Sequence, residues 1–186
     1  MNQPKQTDEW LMVQVAEGQR ACLAVLVRRY ASPLLTYLER MTGDHHRSEE
    51  LFQEVFLRVW IKRQTYCFPK PFRAWLFTIA TNHCRSAFRR SGLRTVPLID
   101  DDPERFAAPD PSPVEAAVAT ETAQLVAAAI EHLPAQQRAV VVLRNFNGLS
   151  FAEIGVAIGC SEPTARSHLH HALSTMRRYL ERWMGE

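Results

Sequence analysis

Between Cys160 and His171, the stretch CSEPTARSHLHHAL places one cysteine and three histidines within twelve positions. Thiolate and imidazole ligate zinc and related ions, so a metal-dependent hydrolase is the first chemistry to weigh. The segment has helical spacing, and a helix turns by ~100° per residue. His168 and His170 therefore point in nearly opposed directions and do not grip one ion together. His168 and His171 share a side, but no acid or thiol stands one turn away as a third ligand. Cys160, ahead of the helix, has the profile of a small turn residue or a buried apolar group. Neither a metal nor a cofactor is expected, and no catalytic group stands out. These side chains suit a polar helix face offered to another molecule, for which DNA is the counterpart.

The elements that position this face lie just upstream, in LPAQQRAVVVLRNFNGLSFAEIGVAIG. Leu133-Pro134 opens a helix and Asn147-Gly148 ends it in a turn. Ser150 with Glu153 three residues on is a capping box that starts a short helix, with Ile154, Ala157 and Ile158 on its inner face. Gly159 allows a tight turn; Ser161 caps the next helix and Pro163 occupies its first turn. Two helices about such a turn describe a helix-turn-helix whose second helix enters a DNA groove. On that helix Ala165, Leu169, Ala172, Leu173 and Met176 form the expected buried stripe. Pro163, Ser167, His170, His171 and Ser174 lie broadly opposite, with Arg166 on the flank.

The first half of the chain carries two further candidate surfaces. In SEELFQEVFLRVW, Leu51, Val55 and Val59 share a stripe with Phe52, Phe56 and Trp60 beside it. Glu50, Gln53 and Glu54, at i, i+3 and i+4, share an exposed face that suits either solvation or docking on a basic partner. In FPKPFRAWLFTIATNHCRSAFRR, Pro69 and Pro71 stiffen a loop, and Phe72, Trp75, Leu76 and Ile79 supply a core stripe. Asn82, Arg85, Arg89 and Arg90 follow toward the helix end. Aromatics interleaved with arginines either fill a core or grip single-stranded nucleic acid by stacking and phosphate pairing. Earlier still, Leu23, Leu26, Val27, Tyr30, Leu34 and Leu38 repeat at helical spacing; Pro33 starts a new helix or kinks this one, and Gly43 and Asp44 end it.

Charge and composition set the frame. The 186 residues are 46% hydrophobic, enough for a packed core, and the net charge is only +2. That total hides an asymmetry, since nine Lys or Arg and no acid fall between Val55 and Ile99. Such a basic block points to a polyanionic partner. VPLIDDDPERFAAPDPSP follows, with five prolines in eighteen residues and a cluster of acids. Proline blocks helix and like charges repel, so this stretch reads as a flexible linker. The expectation is all-α: two small helical domains, residues 1–95 and 115–186, joined by an acidic, proline-rich tether over 96–114. Cys22, Cys67, Cys84 and Cys160 are widely spaced and read as free thiols of a reducing compartment. No apolar run reaches the ~20 residues of a membrane span, and the N-terminus lacks a signal-peptide layout, so a cytoplasmic protein is expected.

Taken in order, SEELFQEVFLRVW, FRAWLFTIATNHCRSAFRR and the segment from Leu133 to Leu173 resemble the bacterial extracytoplasmic-function (ECF) sigma factors of the sigma-70 family. The resemblance covers almost the whole chain. It implies a transcription-initiation subunit without catalysis of its own, partnered by the β and β′ subunits of core RNA polymerase and by promoter DNA. It assigns Glu50, Gln53 and Glu54, with Arg58 beside them, to the polymerase, the first three to a coiled coil of β′. It places Tyr66, Phe68, Arg73, Asn82, Arg85, Arg89 and Arg90 on the −10 element, where a base of the single strand is flipped into a pocket behind the loop Tyr66 to Arg73. It places Ser161, Pro163, Thr164, Arg166, Ser167, His170 and His171 on the −35 duplex. Many members of the family have a basic residue where His171 stands. The family also makes a separate anti-sigma factor an expected partner, one that would hold the protein near the membrane. No long extension follows the second domain, so control is expected from such a separate protein. A stand-alone helix-turn-helix regulator is the other reading, but it requires neither the carboxylate face nor the aromatic-basic segment.

Overall fold

The computed structural model describes residues 7–90 and 114–184. Among them the chain forms eight α-helices and one 3-10 turn, with no strand. The expected linker, 96–114, lies outside the described residues apart from its last position.

Helix α1, Asp8–Ala16, starts where Thr7 accepts the amide of Trp10 at 3.2 Å. Its first-turn acids tie down elements far along the chain. Asp8 accepts from Arg29 at 2.6 Å and from the hydroxyl of Tyr30 at 2.7 Å. Glu9 accepts the backbone amide of Phe72 at 3.2 Å, satisfying a donor at the start of α4, Phe72–Arg90. An orphan amide at a helix N-terminus favours a carboxylate, so α1 serves as the cap of a helix sixty residues away.

Helix α2, Arg20–Thr42, runs unbroken through Pro33 and ends at Gly43, whose φ of 67° is the left-handed cap. Proline removes one helical donor, yet the flanking turns and buried Tyr30, Leu34, Tyr37 and Leu38 hold the axis. Helix α3, His45–Ile61, is capped by Asp44, which accepts from the amide of Arg47 at 3.0 Å. A 3-10 turn, Arg63–Thr65, leads into the loop before α4. Leu51, Val55 and Val59 of α3 are fully buried, as are Phe72, Leu76 and Phe77 of α4. Tyr37 and Phe77 meet edge to face at 5.3 Å, and the Tyr37 hydroxyl pairs with that of Thr81 at 2.7 Å inside the core.

In the second half, α5 (Val114–Glu131), α6 (Ala135–Asn145), α7 (Phe151–Ile158) and α8 (Glu162–Met184) pack together. Val140, Val141, Val142 and Leu143 of α6 are buried, with Ile154 of α7 and Ala165 and Ala172 of α8. The two halves close on one another, α4 against α7 and α2 against α5 and α6. Arg138 of α6 donates to the carbonyl of Met41 at 3.1 Å, and Asn147 donates to that of Pro33 at 2.8 Å. The Arg40 guanidinium lies 3.7 Å over the ring of Phe146. Proline supplies no donor but keeps its carbonyl, which here anchors the other half of the molecule. Burial pushes the Arg40 and Arg138 guanidinium pKa values down from the usual arginine value.

Candidate functional site

Three surfaces emerge, each placed by a different helix. On α3 the outward stripe contains Glu50, Gln53 and Glu54 as expected. Glu50 and Gln53 are exposed and Glu54 is half-buried. Two of the three are pre-positioned. Arg47 holds Glu50 at 2.5 Å, and His83 on α4 holds Glu54 at 3.1 Å. Arg58 is exposed on the flank. The same stripe continues into residues that sequence reasoning missed. Leu57 is 58% exposed and Ile61 57%. At ~100° per residue, both fall in the middle of the arc that Gln53, Glu50 and Glu54 span. The signal was available in the i+7 and i+11 spacing from Glu50, but two apolar residues in an apolar-rich helix read first as core. The face is thus acidic toward the N-terminal end of α3 and greasy toward its C-terminal end.

The second surface is α4 with the loop that precedes it. Helix α4 begins at Phe72, so Arg73 sits in its first turn and the loop ends at Pro71. Tyr66 donates to the Lys70 carbonyl and packs edge-on against Trp75 at 5.5 Å. Its phenol is pushed up to about 12, first by burial and then by the charges of Glu9 and Asp8. Tyr66 is thus a wall of the loop, held in place, whereas Phe68 is 64% exposed at the tip, ahead of the cis Phe68–Pro69 bond. Asn82 is exposed. Arg85 is half-buried and donates to the carbonyl of Ile158, at the end of α7, at 2.9 Å. The backbone of Arg89 and Arg90 belongs to α4, but their side chains lie outside the described residues.

The third surface is the helix-turn-helix of α7 and α8. The capping box forms in full: Ser150 accepts the Glu153 amide at 3.3 Å, and the Glu153 carboxylate accepts the Ser150 amide at 2.8 Å. Ser161 accepts the amide of Thr164 at 3.2 Å, and the two hydroxyls are 2.7 Å apart. The turn depends on a residue that sequence reasoning did not single out. Gly155 accepts the amides of both Gly159 and Cys160 at 2.9 Å, and a Cβ on it would lie 2.8 Å from the Cys160 carbonyl oxygen. Pro163, Thr164, Arg166, Ser167, His170 and His171 are all exposed along one side of α8. Arg166 is not a loose tether: Glu162 holds it at 2.5 Å and its guanidinium lies 4.4 Å over Phe151. One expectation fails here. Leu173 is 49% exposed and lies outside the buried stripe, because it sits about 60° from the stripe's middle. Cys160 is half-exposed, and all four cysteines are free. Among the described residues, no three His, Cys, Asp or Glu side chains gather to hold a metal ion. Nor is any described helix long and apolar enough to cross a membrane.

An acidic helix face, an aromatic-basic helix and a capped helix-turn-helix are the combination of a nucleic-acid-binding class of protein. Comparison with known proteins narrows the class. Residues 26–94 match the family Sigma-70 region 2, and residues 123–176 match Sigma-70, region 4. The ECF RNA polymerase sigma factor SigL of Mycobacterium tuberculosis is 32% identical over 167 residues, covering 89% of this chain and 93% of that protein. SigE of Mycolicibacterium smegmatis is 35% identical over 161 residues, covering 87% of this chain; the match spans 62% of that protein. In fold, the chain is similar to CnrH solved with the cytosolic domain of CnrY, with a TM-score of 0.71 at 24% identity, covering 94% of this chain and 97% of that one. It is also similar to the sigma factor RpoE of Bartonella quintana solved with the anti-sigma factor NepR, with a TM-score of 0.65 at 21% identity, covering 85% and 96%. The chain belongs to the ECF RNA polymerase sigma factors of the sigma-70 family.

Proposed function

We propose that this chain directs core RNA polymerase to a set of promoters, with the three surfaces dividing the work. The stripe of α3 docks on the polymerase, and Glu50, Gln53 and Glu54 meet basic side chains of its β′ coiled coil through charge-assisted hydrogen bonds. Leu57 and Ile61 supply the desolvated anchor that charges alone rarely provide. Arg58 borders the contact. The face of α4 holds the −10 single strand: Asn82, Arg85, Arg89 and Arg90 on backbone and bases, Arg73 beside them, and Tyr66 and Phe68 about a flipped base. On α8, Ser161, Pro163, Thr164, Arg166, Ser167, His170 and His171 meet the −35 duplex. A fixed guanidinium such as Arg166 suits a guanine edge or a phosphate. The working units are residues 1–95 and 115–186, with 96–114 between them. The protein acts in the cytoplasm as a regulatory subunit with no catalysis of its own. A separate anti-sigma factor is its expected inhibitor, in keeping with the complexes of CnrH and RpoE.

The observation that carries this reading is the separation of the surfaces: the acidic-apolar stripe of α3 lies on a different helix from the exposed polar face of α8. The test replaces Glu50, Gln53 and Glu54 together with Lys, Ala and Lys. Core polymerase binding should fall at least tenfold while binding of the isolated −35 duplex stays within twofold. A parallel loss of both would make the face structural and overturn the assignment.

A further inference from the structure

Three helices send side chains to one aromatic ring beside the −35 face. Phe151 opens α7 and is half-buried. The Arg144 guanidinium, from the last turn of α6, lies 4.9 Å from the ring centroid, and the Arg166 guanidinium, from α8, lies 4.4 Å from it. Both are inside the ~6 Å over which a ring face attracts a cation. Arg144 is fixed independently, because it donates to the Leu149 carbonyl at 2.9 Å in the turn that leads into α7. Arg166 shares an i, i+4 row with Glu162 and His170, and its guanidinium donates to the Glu162 carboxylate at 2.5 Å. It stands near the N-terminal end of α8, where the helix dipole disfavours a cation, and the carboxylate and the ring offset that. Yet 59% of the Arg166 side chain stays exposed, so the guanidinium is held and still open to a ligand. Phenylalanine has no group to hydrogen-bond a phosphate or a base edge, so what Phe151 gives to duplex reading passes through the guanidinium.

We propose that Phe151 is a positioning residue for −35 reading, which together with Glu162 holds Arg166 in its duplex-contacting orientation before the DNA arrives. This rests on the assignment of Arg166 to the −35 duplex. A free arginine side chain populates many rotamers, and freezing one of them on binding weakens affinity. A guanidinium already seated against the ring and the carboxylate is ordered in advance. Glu162 also neutralises the charge of Arg166, so the pair adds little net attraction for a polyanion. The worth of Arg166 to the duplex then lies in where its planar N–H groups point, which is what the ring fixes.

The test uses the full chain as wild type, as Phe151→Leu, Phe151→Tyr and Arg166→Gln, and as the double variant Phe151→Leu/Arg166→Gln. The probe is the duplex 30-mer most enriched from a random-sequence pool by the wild type, with binding read by fluorescence anisotropy. Phe151→Leu keeps an apolar side chain without a ring and should weaken binding about fivefold, the effect of ordering one long side chain at an interface. Phe151→Tyr keeps the ring and should stay within twofold of the wild type. In the Arg166→Gln background, Phe151→Leu should have no further effect, since the interaction it removes is already gone. In the free protein, the heteronuclear NOE of the Arg166 Nε–H group should report a rigid side chain in the wild type and in Phe151→Tyr, and a mobile one in Phe151→Leu. Two results overturn the positioning role and leave the Arg166 assignment standing: Phe151→Leu acting equally with and without Arg166, or an Arg166 side chain as mobile in the wild type as in Phe151→Leu. Arg166→Gln binding the probe as tightly as the wild type overturns the assignment on which the proposal rests.

Discussion

The turn of the helix-turn-helix carries two glycines that should respond to substitution in opposite ways. Gly159 has a φ of 75°, and a Cβ there would meet nothing within 4 Å, so its requirement is conformational. Gly159→Ala should cost about 1 kcal/mol, the left-handed penalty for a residue with a Cβ. Gly159→Asn should recover most of it, because asparagine tolerates that region. Gly155 is in ordinary helical conformation, and its requirement is space. A Cβ there would meet the Cys160 carbonyl oxygen at 2.8 Å and the Glu162 amide nitrogen at 3.4 Å, both backbone. The carbonyl has little freedom to retreat, because the Cys160 amide is fixed on the Gly155 carbonyl at 2.9 Å. Overpacking of this kind costs ~1–3 kcal/mol, and the rigid neighbour puts this site at the upper end. Alanine regains about 1 kcal/mol of helix propensity over glycine, leaving a net loss of about 2 kcal/mol. For a chain of this size that lowers Tm by roughly 4–8 °C. Gly155→Asn should be worse than Gly155→Ala, the reverse of the order at Gly159. Thermal melts followed by circular dichroism, with duplex binding measured below Tm, check both series. A Gly155→Ala protein melting at or above the wild type would refute the steric argument.

Three further outcomes follow from the same contacts. Tyr37→Phe removes the buried bond to Thr81, whose hydroxyl keeps the Phe77 carbonyl at 2.7 Å; the loss should be about 1 kcal/mol in urea unfolding. Leu57→Ser with Ile61→Ser should weaken core polymerase binding about tenfold with Tm unchanged, since both side chains are exposed and only the docked state buries them. The His45 imidazole is raised above its usual value by a hydrogen bond to Glu39 at 2.8 Å and by the charge of Glu49. Its small contribution to stability is therefore present below the ordinary histidine value and fades as pH rises through the raised one. Glu39→Gln should move the His45 ring titration, followed by NMR, to lower pH; an unmoved titration would contradict the assignment.

What was legible in the sequence was local. The Ser150–Glu153 capping box, the Ser161 cap and the outward side of α8 depend on residues three or four apart, where helical geometry alone decides. The acidic stripe of α3 was legible for the same reason. Its apolar continuation at Leu57 and Ile61 was not, because exposure is a tertiary property and leucine in a helix reads as core. Gly155 was hidden because its constraint comes from where the chain returns after the turn. Glu9 capping α4 spans 63 residues, and Arg85 reaching Ile158 spans 73. No periodicity encodes such pairs. Leu173 shows the limit from the other side, since a stripe's edge is set by the neighbouring helices and the period locates only its centre. Closure of the two halves was the largest omission, and it depends on backbone carbonyls at Pro33, Met41 and Ile158 that any residue would provide.

Whether this chain makes core polymerase promoter-selective is decided by transcription from fragmented genomic DNA of the source bacterium. Core polymerase is assayed with and without the purified chain, and the 5′ ends of the transcripts are sequenced. New start sites should appear only with the chain and share two upstream motifs at a fixed spacing. The upstream motif should be lost selectively on Arg166→Ala, and the downstream one on Asn82→Ala. A start-site profile identical to that of core polymerase alone would contradict promoter selection by this chain.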